Sequence, residues 1–195
     1  KEKKNWLDDD YVKFIRFGES LIEKSNDGVL AMITAHGYID NPTFRGMRWH
    51  LRDTFDKIYV VDLHGNSRKK ETAEDGGKDE NVFDIMSGVS IIIGIKNKAP
   101  EKTKKLAQVF VTDLYGTRKI KLESLDNASI ENTKWVALPD DCDTWHLEGE
   151  GKAEYQKGFS VAELFPKNTT GIVTGIDRLS IFKTKEDLER VTQSI

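Results

Sequence analysis

The apolar pattern of the chain begins with one helix and one strand. Apolar or small residues recur at helical spacing over 11–22, and three acids, Asp8–Asp10, precede them where the helix dipole favours negative charge. Asn26-Asp27-Gly28 is a typical helix stop. The short apolar run Val29–Thr34 that follows predicts a buried strand.

A second helix and a second strand come next. Asn41-Pro42 predicts a helix start, because asparagine caps helix N-termini and proline suits the first helical position. The apolar stripe of this helix consists of Phe44, Met47, Leu51 and Phe55. Its basic residues are Arg45, Arg48 and Arg52, and we interpret them as a solvated polar face. Lys57–Leu63 predicts the strand.

The segment Gly88–Lys96 (GVSIIIGIK) has the strongest strand pattern in the chain. A helix separates the two earlier strands, which predicts parallel pairing through a right-handed crossover. A loop alone joins Lys57–Leu63 to Gly88–Lys96, which predicts an antiparallel pair at the sheet edge. We therefore expect an α/β fold whose mostly parallel sheet ends in an antiparallel strand.

Residues 64–81 (HGNSRKKETAEDGGKDEN) contain almost nothing that can be buried. A loop of this length inside a compact domain is usually functional or disordered, so we predict a long, mobile loop. Phe83 follows it, just before the third strand. From the residues alone, two positions are open for Phe83: the exposed rim of the sheet, or the bottom of the core.

The pattern weakens after a basic linker at 96–105, and we divide the chain into domains 1–105 and 106–195. In the second part we predict a strand at 106–114, a short helix or strand at 118–125, a helix at 155–165, a strand at 171–173 and a final helix at 185–195. The glycine-containing stretch 169–175 is interpreted as a tight turn around that strand.

Composition narrows the class of protein. The net charge is −3, whereas a dedicated nucleic-acid-binding module usually has a basic surplus. No run of about 18 apolar residues and no signal-peptide pattern occurs, so we expect no membrane partner. Cys142 is the single cysteine and cannot form an internal disulfide. These features together predict a cytoplasmic location.

Motifs for complete catalytic machinery are missing. The four histidines have no metal-ligand spacing with one another or with Cys142, so we assign no metal site. No GxxxxGK[ST] loop, no GxGxxG after a strand and no GxSxG elbow is present. Nothing in these motifs provides a catalytic residue.

Three segments carry a resemblance to a known family. They are 28–51 (GVLAMITAHGYIDNPTFRGMRWHL), 55–66 (FDKIYVVDLHGN) and 81–96 (NVFDIMSGVSIIIGIK), and weaker likeness continues at 116–125 and 164–181. In order and spacing they resemble the second half of gamma-type adenine-N6 DNA methyltransferases, above all the large single-chain restriction-modification kind. The likeness covers roughly residues 6–182.

The resemblance implies a fold and a role for one residue. The family fold is a Rossmann-like sheet whose last strand inserts antiparallel, here its C-terminal half, followed by a mixed α+β extension that could begin a target-recognition region. In this family the aromatic residue of the third segment stacks on the adenine extruded from the duplex. The resemblance therefore makes Phe83 the base-stacking residue, with Arg68, Lys69, Lys70 and Lys78 as possible contacts to the DNA backbone.

The resemblance also implies what lies outside this chain. The family binds S-adenosylmethionine at a glycine-containing turn and polarises the adenine amine with an (Asp/Asn)-Pro-Pro-(Tyr/Phe) motif, and neither is present. Asn41-Pro42-Thr43-Phe44 lacks the second proline and follows the wrong strand, so we reject it. We expect the catalytic motif shortly before Asn5 in a longer protein. The chain alone is then inactive, without bound cofactor, and its uncovered sheet edge favours self-association.

Two other readings compete with an enzyme fragment. The chain could be a non-catalytic module, derived from a methyltransferase fold, that binds DNA or a protein partner. It could also be a degenerate remnant that serves as a structural subunit.

Overall fold

Helices follow the apolar pattern closely. The computed structural model describes residues 5–69, 71–73, 76–98, 105–147, 157–159, 161–167 and 182–193. Its α-helices are α1 (Asp10–Ser25), α2 (Arg45–Thr54), α3 (Arg118–Asp126), α4 (Val161–Leu164) and α5 (Lys185–Thr192). Short 3-10 turns occur at Asn5–Asp8, His36–Tyr38 and Pro42–Phe44.

The helix ends have the expected local causes. Asn26 adopts a left-handed conformation, with φ of 56°, and its N–H donates to Ile22, which ends α1. The Asn41 side chain accepts from the Thr43 N–H and caps the turn that leads into α2. Both stop and start signals are confirmed.

Five strands form one mixed sheet in the described part of the chain. They are β1 (Gly28–Ala35), β2 (Lys57–Asp62), β3 (Val89–Lys96), β4 (Gln108–Asp113) and β5 (Val136–Ala137). Their order in space is β1-β3-β2-β4-β5. β3 runs antiparallel to both β1 and β2, and β2 pairs in parallel with β4.

The pairing predicted for the first two strands is wrong in one respect. β1 and β2 run in the same direction, but β3 lies between them, so they do not pair directly. The antiparallel β2–β3 pair is confirmed, whereas its place at the sheet edge is wrong. An interior position suits β3 because its run of isoleucines can be covered on both sides.

The interpretation of Arg48 and Arg52 as part of a solvated face is wrong, because both side chains are buried. Arg45 is exposed, but Arg48 and Arg52 are buried. Arg48 donates to the carbonyls of Tyr38, Asn41 and Asp143, and Arg52 donates to those of Ala107 and Asp140. These guanidinium groups fasten the segment 139–147 to α2 and are not a solvated face.

The chain divides into two compact units, residues 1–148 and 149–195. The domain division at residue 105 stays a prediction, although β4, which lies beyond it, belongs to the same sheet as β2. The strand predicted at 106–114 is confirmed, and 118–125 forms a helix.

In the second unit, α5 confirms the final helix, and only Val161–Leu164 of the predicted helix at 155–165 is helical among the described residues. The strand predicted at 171–173 and the turn at 169–175 lie outside the described residues. No helix of the described part has the length and apolarity to cross a membrane.

Candidate site at the carboxyl ends of the strands

One edge of the sheet collects polar side chains from several elements. β1, β2 and β4 run in the same direction, so their carboxyl ends meet at the same edge, and the antiparallel β3 begins there. Ligands of α/β proteins bind preferentially outside the carboxyl ends of the strands. The loop that carries Phe83 leads into β3 at this edge.

Phe83 is exposed. Its relative accessibility is 45%, which excludes the alternative in which it fills the core. Gly65, Lys78, Asn81, Met86 and Arg118 are among the residues that line a groove of about 520 Å³ with it.

Asn81 holds the Phe83 loop in shape. Its Oδ1 accepts from the Phe83 N–H at 2.9 Å, and its Nδ2 donates to the carbonyls of Ser87 and Gly65 at 2.7 and 3.1 Å. Gly65 has φ of +77°, and a Cβ there would overlap the Asn81 backbone. Glycine is therefore required where the two loop segments touch.

Arg118, at the start of α3, fastens the same loop from the other side. Its Nε donates to the Asn81 carbonyl at 2.9 Å, and its guanidinium pairs with Asp84 at 2.6 Å. The aromatic ring is exposed, whereas the backbone beneath it is bonded on two sides. Such preorganisation suits a residue that must present a flat face to a ligand.

The loop 64–81 is anchored at its far end, contrary to the expectation that it holds almost nothing to bury. The Asp79 and Lys121 side chains are 0% exposed and form an ion pair at 2.8 Å. Asp79 also accepts from the backbone N–H groups of Gly65 and Gly116. The sequence signal was hidden because lone charged residues are ordinarily solvated.

The structure describes three of the four residues predicted to contact the DNA backbone, and one of them lies beside Phe83. Arg68, Lys69 and Lys78 are exposed, and Lys70 lies outside the described residues. Lys69 pairs with Asp40 at 3.2 Å, and Lys78 lies in the wall of the Phe83 groove. Their role in binding phosphates stays a prediction.

Asn41-Pro42-Thr43-Phe44 has a structural role, which agrees with its rejection as a catalytic motif. Asn41 caps a turn, and Phe44 is 1% exposed within the hydrophobic core. Neither side chain is available to polarise a substrate amine.

Sequence reasoning missed a cluster of histidines and aspartates at this edge. His36 follows β1, Asp62 ends β2, His64 comes two residues later and Asp113 ends β4. Asp62 Oδ1 lies 3.0 Å from His36 Nδ1 and accepts from the His64 N–H at 2.9 Å. We call these four residues the histidine–aspartate cluster. Their spacing in sequence gives no sign of it, because only the sheet brings them together.

His64 is the most constrained member of the cluster. It has a left-handed φ of 50°, and its ring stacks on that of Tyr115 with centroids 3.9 Å apart. Its Nε2 is buried without a hydrogen bond; Asp113 Oδ1 lies 3.3 Å away, at ion-pair distance but outside hydrogen-bond geometry. Non-glycine residues in this conformation concentrate at functional sites.

Charges within the cluster shift its protonation. Burial raises the pKa of Asp62, but the hydrogen bond from His36 and the charge of His64 outweigh it and leave that pKa lowered. Burial lowers the pKa of His64, but Asp113 and Asp62 outweigh it and leave that pKa raised. Both shifts favour the charged forms, a deprotonated Asp62 and a protonated His64.

Several solved structures are similar to this chain, and three of them are as follows. The DrdV–DNA complex is 25% identical, with a TM-score of 0.61, and the match covers 77% of this chain and 15% of that one. A nuclease-deletion mutant of the Type ISP restriction-modification enzyme LlaGI, in complex with a DNA substrate mimic, is 27% identical, with a TM-score of 0.58, over 71% of this chain and 13% of that one.

The third structure is the ATP-dependent Type ISP restriction-modification enzyme LlaBIII bound to DNA. It is 30% identical, with a TM-score of 0.63, and the match covers 100% of this chain and 13% of that one. No protein-family model and no curated protein matched the sequence. The chain thus spans 13–15% of the solved chains that it resembles. Two of the three structures are Type ISP restriction-modification enzymes, and all three contain DNA or a DNA substrate mimic.

Proposed function

We propose that this chain is the C-terminal part of a DNA adenine-N6 methyltransferase in a restriction-modification enzyme, with residues 1–105 in the catalytic domain and 106–195 in an extension. Within it, Phe83 provides the face on which the target adenine stacks. The observation that carries the proposal is the exposed Phe83 ring on a loop bonded by Asn81 and Arg118 at the ligand-binding edge of the sheet.

Two independent features support the proposal. β3 runs antiparallel to β1 and β2, and the resemblance implied an antiparallel last strand in the family sheet. LlaGI and LlaBIII, which are similar to this chain over 71% and 100% of its length, are restriction-modification enzymes solved with a DNA substrate mimic and with DNA. Double-stranded DNA is therefore the proposed partner of the full-length protein, by which we mean the protein that includes this chain.

The chemistry requires an aromatic face outside the duplex. The exocyclic amine of adenine is inaccessible to a methyl donor within the base stack, so the nucleotide must be extruded at a cost of a few kcal/mol. Stacking on an aromatic side chain returns about 1–3 kcal/mol. Phe83 is placed to offset that cost because its backbone is held while its ring is free.

S-adenosylmethionine supplies the methyl group when it is bound. The glycine-containing turn and the Pro-Pro motif that would hold the donor and the amine are absent from this sequence. No residue of this chain is assigned to either. The chain contributes base stacking, with Arg68, Lys69 and Lys78 proposed as phosphate contacts; Lys70 stays a prediction from the sequence.

Replacing Phe83 in the full-length protein tests the proposal. Phe83→Leu keeps an apolar side chain of similar size but removes the aromatic face, so kcat/KM for DNA methylation is expected to fall on the order of 10- to 100-fold, the equivalent of about 1–3 kcal/mol. Phe83→Tyr keeps the face and is expected to retain most of the activity. Methyl transfer to duplex DNA is the measurement.

An exposed phenylalanine elsewhere provides the matched control. Phe14, on α1, is 61% exposed, and Phe14→Leu is expected to leave kcat/KM unchanged. Equal activity of the Phe83→Leu and Phe14→Leu proteins would contradict the base-stacking role of Phe83. Loss of activity in Phe83→Tyr as severe as in Phe83→Leu would argue against an aromatic role.

A further inference from the structure

The histidine–aspartate cluster has a feature that base stacking does not use. Three of the four histidines of the chain, His36, His64 and His146, line one cavity of about 140 Å³. Its ionisable lining also includes four carboxylates and a single lysine, namely Asp40, Asp62, Glu71, Asp113 and Lys69. Lys69 is already paired with Asp40, so negative charge remains in excess around the imidazoles.

The spacing of the ligand atoms fits one ion. His36, Asp62 and His64 each offer an atom within 4.8 Å of the other two. Two ligands of a tetrahedral zinc ion are about 3.4 Å apart, given bond lengths of about 2.0–2.2 Å. His36 Nδ1 lies 3.0 Å from Asp62 Oδ1 and His64 Nδ1 lies 3.7 Å from Asp62 Oδ2, so the two imidazoles approach the two oxygens of one carboxylate at distances close to that value.

The surroundings of the second ring nitrogen of His64 are compatible with a histidine that binds a metal through Nδ1. His64 is 9% exposed, and its buried Nε2 has no hydrogen-bond partner, although Asp113 Oδ1 is 3.3 Å away. In metal sites the second ring nitrogen of a ligating histidine usually donates to a carboxylate. A metal on Nδ1 would fix the proton on Nε2, and a small rotation would complete the bond to Asp113.

We propose that His36, Asp62 and His64 bind a divalent first-row transition metal ion such as Zn²⁺, with Asp113 orienting His64. Two imidazoles and one carboxylate suit such ions better than Mg²⁺, which prefers oxygen ligands. Glu71 and His146 line the same cavity as the three proposed ligands. The three ligands have no metal-ligand spacing in the sequence because they lie at the ends of two different strands.

Isothermal titration calorimetry of Zn²⁺ into the metal-stripped 195-residue chain tests the proposal. We expect one Zn²⁺ per chain, with Mg²⁺ failing to compete. His64→Gln and His36→Gln are each expected to weaken binding on the order of 10- to 100-fold or more. Because no DNA or methyl donor is involved, this result is independent of the proposed methyl transfer.

His50 provides the matched comparison. His50 forms a second group of metal-binding residue types with Glu19 and Glu23, and its Nδ1 lies 2.8 Å from Glu19. Glu19 already accepts hydrogen bonds from Arg16 and Thr54. His50→Gln is expected to leave zinc affinity unchanged. Zinc that is lost in His50→Gln but retained in His64→Gln would overturn the proposal in favour of the second group.

If the histidine variants fail to fold, X-ray absorption at the zinc edge identifies the zinc ligands in the wild-type chain. Two imidazoles in the zinc shell would support the site. A shell without imidazole, or no binding of zinc below millimolar concentration, would overturn it.

Discussion

Lys121→Met is expected to lower the free energy of unfolding of the chain by about 3–5 kcal/mol, since removing one partner of a buried ion pair leaves an uncompensated charge. Lys121 Nζ donates to Asp79 and to the carbonyls of Leu63 and Glu80 at 2.7–2.9 Å. Methionine fills the space of the lysine stem but leaves Asp79 without a counter-charge and two carbonyls without a donor. Urea unfolding followed by far-UV circular dichroism is the measurement.

Lys119 is the matched control on the same helix. Its side chain is 83% exposed and lies 3.8 Å from Glu123, so Lys119→Met is expected to change stability by no more than about 0.5 kcal/mol. If both variants lose the same small amount, the Asp79–Lys121 pair does not anchor the loop in solution. A large loss for Lys121→Met alone would establish it as the element that holds residues 64–81 against α3.

Trp145→Ala is expected to cost about 3–5 kcal/mol, because it removes one of the largest fully buried side chains. The indole packs edge-on against Tyr38 with centroids 6.2 Å apart, and the backbone N–H of Trp145 donates to the Ile39 carbonyl. The change therefore tests whether the segment 139–147 belongs to the core of the first unit. Equilibrium unfolding in urea gives the free energy.

Trp49→Ala is the corresponding control, since Trp49 is 56% exposed on α2. It is expected to change stability by less than about 1 kcal/mol. Similar losses for the two tryptophans would mean that residues 139–147 do not pack on α2 and the sheet. Trp145→Phe should cost less than Trp145→Ala, because it keeps most of the apolar volume and removes the unpaired buried indole N–H.

Local patterns were sufficient for most helices and strands of the first unit. The limits of β2 and β3 and the stop of α1 follow from apolar runs and turn residues that act over a few positions. Strand order does not, because β3 could pair beside β2 or between β1 and β2 with the same sequence. Only the competition for burial of both faces decides that the isoleucine-rich strand lies inside.

Buried charge is the second feature that the sequence did not disclose. Arg48, Arg52, Asp79 and Lys121 have side chains that are ordinarily exposed, and a pattern of apolar positions assigns them to the surface. Each is buried because several backbone or carboxylate partners converge on it. Such convergence depends on segments far apart in sequence, as when α2 meets residues 139–147.

The residues of the candidate site also differ in how far the sequence could predict them. Phe83 could be singled out because it lies beside a recognisable strand and a polar loop. The histidine–aspartate cluster could not, because His36, Asp62 and Asp113 are brought together only by the parallel direction of three strands. The resemblance to a known family indicated Phe83 but gave no indication of the histidine–aspartate cluster.

Nucleoside mass spectrometry of duplex DNA incubated with the full-length protein and S-adenosylmethionine tests the proposed adenine methylation. We predict N6-methyladenine in the DNA, at a level that falls on the order of 10-fold or more with Phe83→Leu and not with Phe14→Leu. DNA without a methylated base, or with methylcytosine alone, would contradict the account and favour a binding module derived from a methyltransferase fold.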